Sequence, residues 1–347
     1  MLKTSAYAAD SAKAQLKPYS IDRREPGPHD VLIDILYCGV CHSDIHQVRD
    51  DWGGSIFPMV PGHEIVGRVL KTGNKVDKWK LNDTVGVGCF VDSCRECEGC
   101  KSDEEQFCDE LSVTYNGYEL GHKTPTYGGY STQITVNEDY VLRIPENMPL
   151  ERVAPLLCAG ITTYSALRHY GVKAGDQVAV MGLGGLGHIG VKIAKAMGTH
   201  VTVLSHSPGK REDALKLGAD NFIATNDSKV FKDNTKSFDF ILDTVSAQHD
   251  YQSHLNLLRR DGTMVLVGLP DPSMLSAAPL IMQRRRLAGS LIGGIRETQE
   301  MLDFCAEHGV VSDVEVIPIQ KINEAYERMI KSDVHYRFVI DIASLKS

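Results

Sequence analysis

The sequence has no long apolar run, no basic block and few aromatic residues: phenylalanine, tryptophan and tyrosine make up 7% of 347 residues, with only two tryptophans. Without a stretch of about 20 apolar residues, no helix is expected to cross a bilayer. Met1 to Asp10 hold no cationic segment followed by an apolar core of the kind that directs export, so the cytoplasm is the expected compartment. Lysines and arginines are dispersed, and 45 acids against 37 of these bases give a formal charge of −8. That balance argues against a nucleic acid or an anionic membrane as the main partner and fits small molecules better. In a reducing compartment the nine cysteines stay free, and clustered ones are read as metal ligands before disulfides.

At about 150 residues per domain the length predicts two domains. Residues 1 to about 150 carry short β-branched runs, such as Val31 to Ile35 and Glu64 to Val69, broken by proline, glycine and Asn-Asp turns, and read as mostly β. From about 155 to 290 the texture becomes strand (Gln177 to Met181), glycine loop, helix (Gly190 to Met197) and strand (His200 to Leu204). Two apolar runs follow, Asp239 to Asp243 and Thr263 to Val267, of the kind buried on both faces of a parallel sheet. The expected class is therefore α/β, with a β-rich region ahead of the parallel sheet. Glu297 to Glu307 reads as a helix and Arg337 to Asp341 as a strand, and this tail can belong to either domain. There is no internal repeat and no low-complexity segment.

Cys94, Cys97, Cys100 and Cys108 form C-x2-C-x2-C-x7-C. Four thiolates surround a zinc ion tetrahedrally and leave no position for substrate, so such a site is structural. A four-iron cluster competes, but the last gap is wider than in the ferredoxin run and no proline follows it. A second set is dispersed: Cys41, then His63 and Glu64, then Cys158. Each alone is weak, and Cys38, Cys89 and Cys305 read as small core residues. Two cysteines and a histidine together match the three protein ligands of a catalytic zinc, whose fourth position is left to water or an alcohol oxygen. Asp44 is a candidate acceptor for the second ring nitrogen of His63, and Glu64 can be an outer partner or a transient ligand.

Gly182-Leu183-Gly184-Gly185-Leu186-Gly187 follows one predicted strand and opens a predicted helix. In that context G-x-G-x-x-G reads as a dinucleotide site, because the helix N-terminus offers free N–H groups to a pyrophosphate. The next strand ends in Ser205, His206 and Ser207, with Lys210 and Arg211 behind, where NAD binders carry an acid that bonds the ribose hydroxyls. Hydroxyls and cations suit a 2′-phosphate, which predicts NADP(H) over NAD(H). An exposed polar turn is the alternative reading of residues 205–211.

With these motifs placed, the chain resembles the zinc-containing medium-chain alcohol dehydrogenases, most closely the cinnamyl alcohol dehydrogenase branch and its bacterial broad-range relatives. The likeness runs through Gly39-Val40-Cys41-His42-Ser43-Asp44, Pro61-Gly62-His63-Glu64, Gly86-Val87-Gly88-Cys89, the four-cysteine loop, Tyr127-Gly128-Gly129-Tyr130, Leu157-Cys158-Ala159-Gly160, the Gly182 loop, Gly289-Ser290 and Tyr336 to Asp341. Asn82 stands where members often have glycine before Asp83, a minor departure since asparagine tolerates a left-handed backbone.

The resemblance implies a GroES-like, mostly β catalytic domain from residues 1–153 and 290–347, with a Rossmann doubly wound parallel-sheet domain at 154–289 and an active site between them. It implies two zinc ions per subunit: a catalytic one on Cys41, His63 and Cys158 with Glu64 beside it, and a structural one on Cys94, Cys97, Cys100 and Cys108. His42 matches a position that meets the cofactor pyrophosphate, and Ser43 and His46 match the protein ends of a proton relay. From their place in the series, Trp52 and Phe90 are expected to line the substrate pocket, though either suits a core equally. The implied reaction moves a hydride between NADP(H) and primary alcohols or aldehydes, aliphatic or aromatic. A homo-oligomer, a dimer first, is expected. A zinc-free quinone or enone reductase would need neither Cys41, His63 nor Cys158. A zinc-ribbon module that binds nucleic acid would leave the glycine loop without a use.

Overall fold

Strand Asp30–Gly39 is largely buried and has sheet neighbours along both edges. One edge pairs antiparallel with Ile65–Thr72; along the other, residues 30–34 pair with Gln133–Asn137 and residues 37–39 with Arg337–Asp341. The resulting seven-stranded sheet runs Val314–Pro318, Arg337–Asp341, Asp30–Gly39, Ile65–Thr72, Thr84–Val87, Leu142–Arg143, with Gln133–Asn137 beside Asp30–Gly39. Strands Leu2–Ala8 and Lys17–Arg23 form a separate antiparallel pair. The computed structural model describes residues 1–270 and 272–346. Its contacts divide the chain into two units, Met1–Cys158 with Gly293–Ser347, and Ala159–Ile292. The expected breaks were 153/154 and 289/290; placed at 158/159, the break keeps Cys158 in the same unit as Cys41 and His63.

Directly after Asp30–Gly39 comes helix His42–Arg49. Its start is fixed by the Asp44 carboxylate, which accepts the Cys41 amide at 2.9 Å, and Asp50 ends it in a left-handed conformation at φ 57°. This short helix carries His42, Ser43, Asp44 and His46.

The second unit is a six-stranded sheet in the order Asn221–Ala224, His200–Ser205, Gln177–Met181, Phe238–Asp243, Leu258–Leu266, Arg286–Gly289, with all neighbours parallel. Gln177–Met181, first in the chain, lies inside the sheet. The chain therefore winds outward one way and returns to wind the other, with the switch between Gln177–Met181 and Phe238–Asp243. The core holds Ala179, Met181, Leu204, Ile241, Leu255 and Met264. Leu258–Leu266 starts before the apolar run at Thr263 because Arg259, Arg260 and Asp261 lie in the strand but face solvent. Helix Ile295–His308, in the first unit, covers the predicted 297–307 segment.

Candidate active site and cofactor loop

Three local devices gather the dispersed ligand set inside the first unit. Cys41 caps helix His42–Arg49, Cys158 closes the 3-10 turn Ala154–Leu157, and His63 precedes strand Ile65–Thr72 after a glycine at φ +105°. At Gly62 a side chain is excluded as well as strained, since a Cβ would meet Cys38 Sγ at 2.7 Å and the Gly129 amide at 2.9 Å. One ligand atom from each of Cys41, His63, Glu64 and Cys158 lies within 4.8 Å of the others. A tetrahedron with Zn–S bonds of about 2.3 Å has edges of about 3.8 Å, so the donor set is the right size for zinc.

Fully buried Asp44 orients this set. Its Oδ1 lies 3.2 Å from His63 Nδ1 and accepts the Gly62 amide at 3.2 Å, while its Oδ2 accepts the Cys41 amide at 2.9 Å and the Tyr130 hydroxyl at 3.3 Å. His63 Nε2 is thereby left for a metal. Tyr115 stacks on the His63 ring at 5.7 Å. The Cys41 thiol is drawn well below its ordinary value by hydrogen bonding with Cys158 and with His63, which favours the thiolate that a metal needs. Glu64 is buried and accepts from Arg337 Nη2 at 2.5 Å, an ion pair between residues 273 apart in the chain. Burial pushes the Glu64 carboxyl up to about 8, and the Arg337 charge pulls the other way. Among the described residues Glu64 Oε2 has no hydrogen-bond partner, which leaves a buried oxygen beside the ligand set for a cation.

The four-cysteine loop closes on itself. Cys94 Sγ accepts the Glu96 and Cys97 amides at 3.4 and 3.3 Å, Cys97 Sγ accepts the Cys100 amide at 3.5 Å, and Cys108 Sγ accepts the Cys94 amide at 3.5 Å. The Glu96 and Cys97 amides bring the Cys94 thiol down to about 7, whereas burial pushes Cys108 up. The four sulfurs lie within 4.8 Å of one another, and Ser93 Oγ sits 3.0 Å from Cys100 Sγ. Four sulfurs, joined by no other ligand residue among the described residues, suit a closed tetrahedral ion.

Beside Cys41, the Ser43 hydroxyl lies 3.6 Å from the Cys41 sulfur. His46, one turn further along the same helix face, is 34% exposed and places Nδ1 2.9 Å from Asp51 Oδ2. Trp52 stacks on the His46 ring at 4.9 Å and stays 45% exposed. His42 is exposed. Phe90, expected either in the pocket or in the core, is 3% exposed and packs edge-on to Tyr140 at 6.0 Å. Cys89, expected as a small core residue, is only half-buried, and its thiol interacts with Cys158.

In the second unit Gly182 adopts φ +86°, and a Cβ on Gly187 would sit 2.0 Å from the Gly182 carbonyl, so both must be glycine. A Cβ on Gly184 would meet nothing within 4 Å, which leaves this turn open on that side for a phosphate. Gly185 and Leu186 lead into helix Gly187–Ala196. Ser205 closes strand His200–Ser205, 6% exposed, and its hydroxyl accepts the Ser207 amide at 3.2 Å; His206 and Ser207 are exposed. Lys210 folds back to donate to the Leu183 carbonyl at 2.9 Å, so its ammonium sits at the glycine loop. Arg211 is turned away, bonding the Phe222 carbonyl at 3.1 Å over the Phe222 ring, and is corrected from a phosphate candidate to a structural contact.

Sequence reasoning missed Arg337 as the partner of Glu64 and Tyr130 as a donor to Asp44. Both stand in quoted motifs, but nothing in their spacing says what they meet.

A doubly wound nucleotide unit and a β unit with one closed and one open thiolate set define a metal-binding, nucleotide-dependent dehydrogenase. Comparison with known proteins gives the family. Residues 27–146 match the alcohol dehydrogenase GroES-like domain, and residues 185–307 match the zinc-binding dehydrogenase domain. The chain is 57% identical to NADP-dependent alcohol dehydrogenase C 1 of Mycolicibacterium smegmatis over 100% of both chains. It is 55% identical to aldehyde reductase YahK of Escherichia coli over 99% of both. A solved cinnamyl alcohol dehydrogenase from Sorghum bicolor superposes with a TM-score of 0.96 at 47% identity, covering 99% of this chain and 98% of that one. The chain belongs to the zinc-containing medium-chain alcohol dehydrogenase family, with a GroES-like domain and a Rossmann domain.

Proposed function

We propose that this protein is a zinc-dependent alcohol dehydrogenase and aldehyde reductase that moves a hydride between NADP(H) and primary alcohols or aldehydes, aliphatic or aromatic of the cinnamyl type. The observation that carries the reading is the open donor set of Cys41, His63 and Cys158, held by Asp44 and distinct from the closed four-cysteine loop. A zinc ion on those three ligands supplies Lewis acidity toward a hydroxyl or carbonyl oxygen. Glu64, tethered by Arg337, keeps one carboxylate oxygen beside the ligands. Cys94, Cys97, Cys100 and Cys108 hold a second zinc that stabilises their loop.

Ser43 both accepts and donates, and with His46 it makes the two protein ends of a relay that carries the hydroxyl proton of an alcohol to solvent. His46, partly exposed and paired with Asp51, exchanges that proton with water. Trp52 covers the His46 ring and presents an apolar face to the substrate. In the Rossmann unit Gly182, Gly184, Gly185, Leu186 and Gly187 hold the pyrophosphate, and Ser205, His206, Ser207 and Lys210 receive the 2′-phosphate. Relatives named for NADP-dependent alcohol oxidation and aldehyde reduction support this direction of reading.

The same reading makes the protein a cytoplasmic homodimer. Nine free cysteines and two thiolate sites suit a reducing compartment, and no helix among the described residues is long and apolar enough to cross a membrane. Strand Arg286–Gly289 is an edge of the six-stranded sheet, and Leu269, Met274, Ile281 and Met282 nearby in the chain are 67–95% exposed, a surface that a second copy can cover. The test of function is a panel of straight-chain, branched and aromatic aldehydes with NADPH, run beside metal analysis. Turnover that survives removal of all zinc would overturn the reading.

A further inference from the structure

The Rossmann unit holds a buried acid–histidine pair that the chemistry above does not use. Asp243 ends strand Phe238–Asp243 and is 1% exposed; its Oδ1 accepts the Val245 amide at 3.0 Å, and its Oδ2 lies 2.8 Å from His249 Nε2. The other ring nitrogen of His249, Nδ1, lies 2.8 Å from the Ala247 carbonyl. Both neighbours accept hydrogen bonds, and neutral imidazole has only one N–H to give. Imidazolium satisfies both at once. The ring is 11% exposed, packed edge-on to Tyr251 at 4.8 Å and to His254 at 5.6 Å.

The segment that this pair closes lies beside the glycine loop. Strand Phe238–Asp243 neighbours Gln177–Met181, and the loops after these two strands flank the switch point, where open α/β sheets bind their ligands. Thr244 donates through both its amide and its hydroxyl to the Met181 carbonyl, at 3.1 and 2.8 Å. A Cβ on Gly182 would meet Val245 Cγ2 at 2.9 Å and Thr244 Oγ1 at 3.0 Å, so the two segments are in direct contact. Thr244 and Val245 thus form a wall of the glycine loop, on a segment fixed at one end by Thr244 and at the other by His249.

We propose that Asp243 and His249 form a latch that positions residues 244–249 against the glycine loop, so that dinucleotide affinity falls when His249 gives up its proton. The proposal rests on the reading of this unit as the NADP(H) site. The ionisable groups around the ring are Asp243 and, from helix Tyr251–Leu257 and its cap, Asp250, Tyr251 and His254. Burial opposes the charged ring, but bonding to Asp243 and Ala247 and the charges of Asp243 and Asp250 outweigh it and hold His249 above its ordinary 6.5. A group raised in this way keeps the latch shut at neutral pH and below, and releases it as pH rises through the higher value.

The experiment titrates the zinc-loaded full chain with NADPH and with NADH by fluorescence from about pH 7 to 9.5, above the second phosphate pKa of about 6. Wild type should lose about tenfold in affinity for both dinucleotides across the range, the size of one partly buried charge-assisted hydrogen bond. His249→Gln, which keeps one donor and does not titrate, should bind NADH at the high-pH level throughout, with a flat profile. NADH separates the latch from Lys210: a fall of equal size for both dinucleotides belongs to the latch, and any larger fall for NADPH belongs to Lys210 at the 2′-phosphate. Asp243→Asn should move the transition to lower pH, and it decides the matter if the glutamine variant melts early. Wild-type affinity and an unchanged profile in His249→Gln, or an unmoved transition in Asp243→Asn, would overturn the latch. Failure of wild type to bind either dinucleotide would instead overturn the cofactor reading.

Discussion

Replacing Ser205 with aspartate should reverse the cofactor preference. Ser205 stands at the strand end where NAD binders place an acid, and its side chain is held in position by the Ser207 amide at 3.2 Å. The serine offers a hydroxyl to a 2′-phosphate; aspartate removes that donor and sets a like charge in its place. A hydrogen bond to a charged group is worth about 1.5–3 kcal/mol, and because His206 and Ser207 are exposed the lower figure applies. Two like charges in contact near a surface cost about 1–4 kcal/mol between the limits of bulk water and a protein rim. The sum is about 3 kcal/mol, or a fall of about 10² in kcat/KM with NADPH. NADH, which has no phosphate to repel and two ribose hydroxyls to bond, should hold or gain. Two further variants make the reasoning sharper. Lys210→Ala should lower NADPH use about tenfold, more than NADH, since that ammonium sits at the glycine loop beside Leu183. Arg211→Ala should leave the ratio alone, because its guanidinium bonds Phe222. Steady-state kinetics with both cofactors decide the matter. If wild type uses NADH as well as NADPH, or if Ser205→Asp leaves the ratio untouched, residues 205–211 are a polar turn and not a phosphate site.

Three other outcomes are expected. Cys158→Ala should abolish turnover yet keep the fold and about one zinc per chain, whereas Cys97→Ala should lower the melting temperature by about 5 °C or more; equal unfolding of both would end the division into catalytic and structural sites. His46→Gln should slow alcohol oxidation near neutral pH by about 10²-fold, or less where water substitutes, and an unchanged pH–rate profile would remove His46 from the relay. Charges introduced at the exposed pair, Ile281→Glu with Met282→Glu, should shift the mass in solution from dimer to monomer, and a dimer that persists would move the interface elsewhere.

Much of the fold was legible because it is written locally. The run Gln177 to Met181, the glycines after it and the apolar stretch ending at Asp243 each report a strand or a turn through period and steric need alone. The metal ligands were legible for another reason: cysteine and histidine at such spacings have few uses besides a metal. What stayed hidden were contacts whose two ends lie far apart. Glu64 meets Arg337 across the chain and Tyr130 reaches Asp44; Arg211 bonds Phe222 only 11 residues on, a local contact that a cationic turn does not announce. Cys89 was misread because a lone thiol between two short strands has the same pattern whether it faces a core or a site.

The central sheet of the catalytic unit takes strand Arg337–Asp341 from the far end of the chain and sets it against Asp30–Gly39. On a ribosome the two are not made together. At about 5–20 residues per second the roughly 300 residues between them take about 15–60 s to emerge, and all of the Rossmann unit is made in that interval. The inserted unit is therefore free to fold first, while the earlier half waits with one edge of Asp30–Gly39 open at residues 37–39 and the Glu64 carboxylate without its arginine. The order of synthesis thus makes completion of the catalytic unit wait until the Rossmann unit has been made, and an open strand edge during that wait is where a chaperone or a second nascent chain would find it.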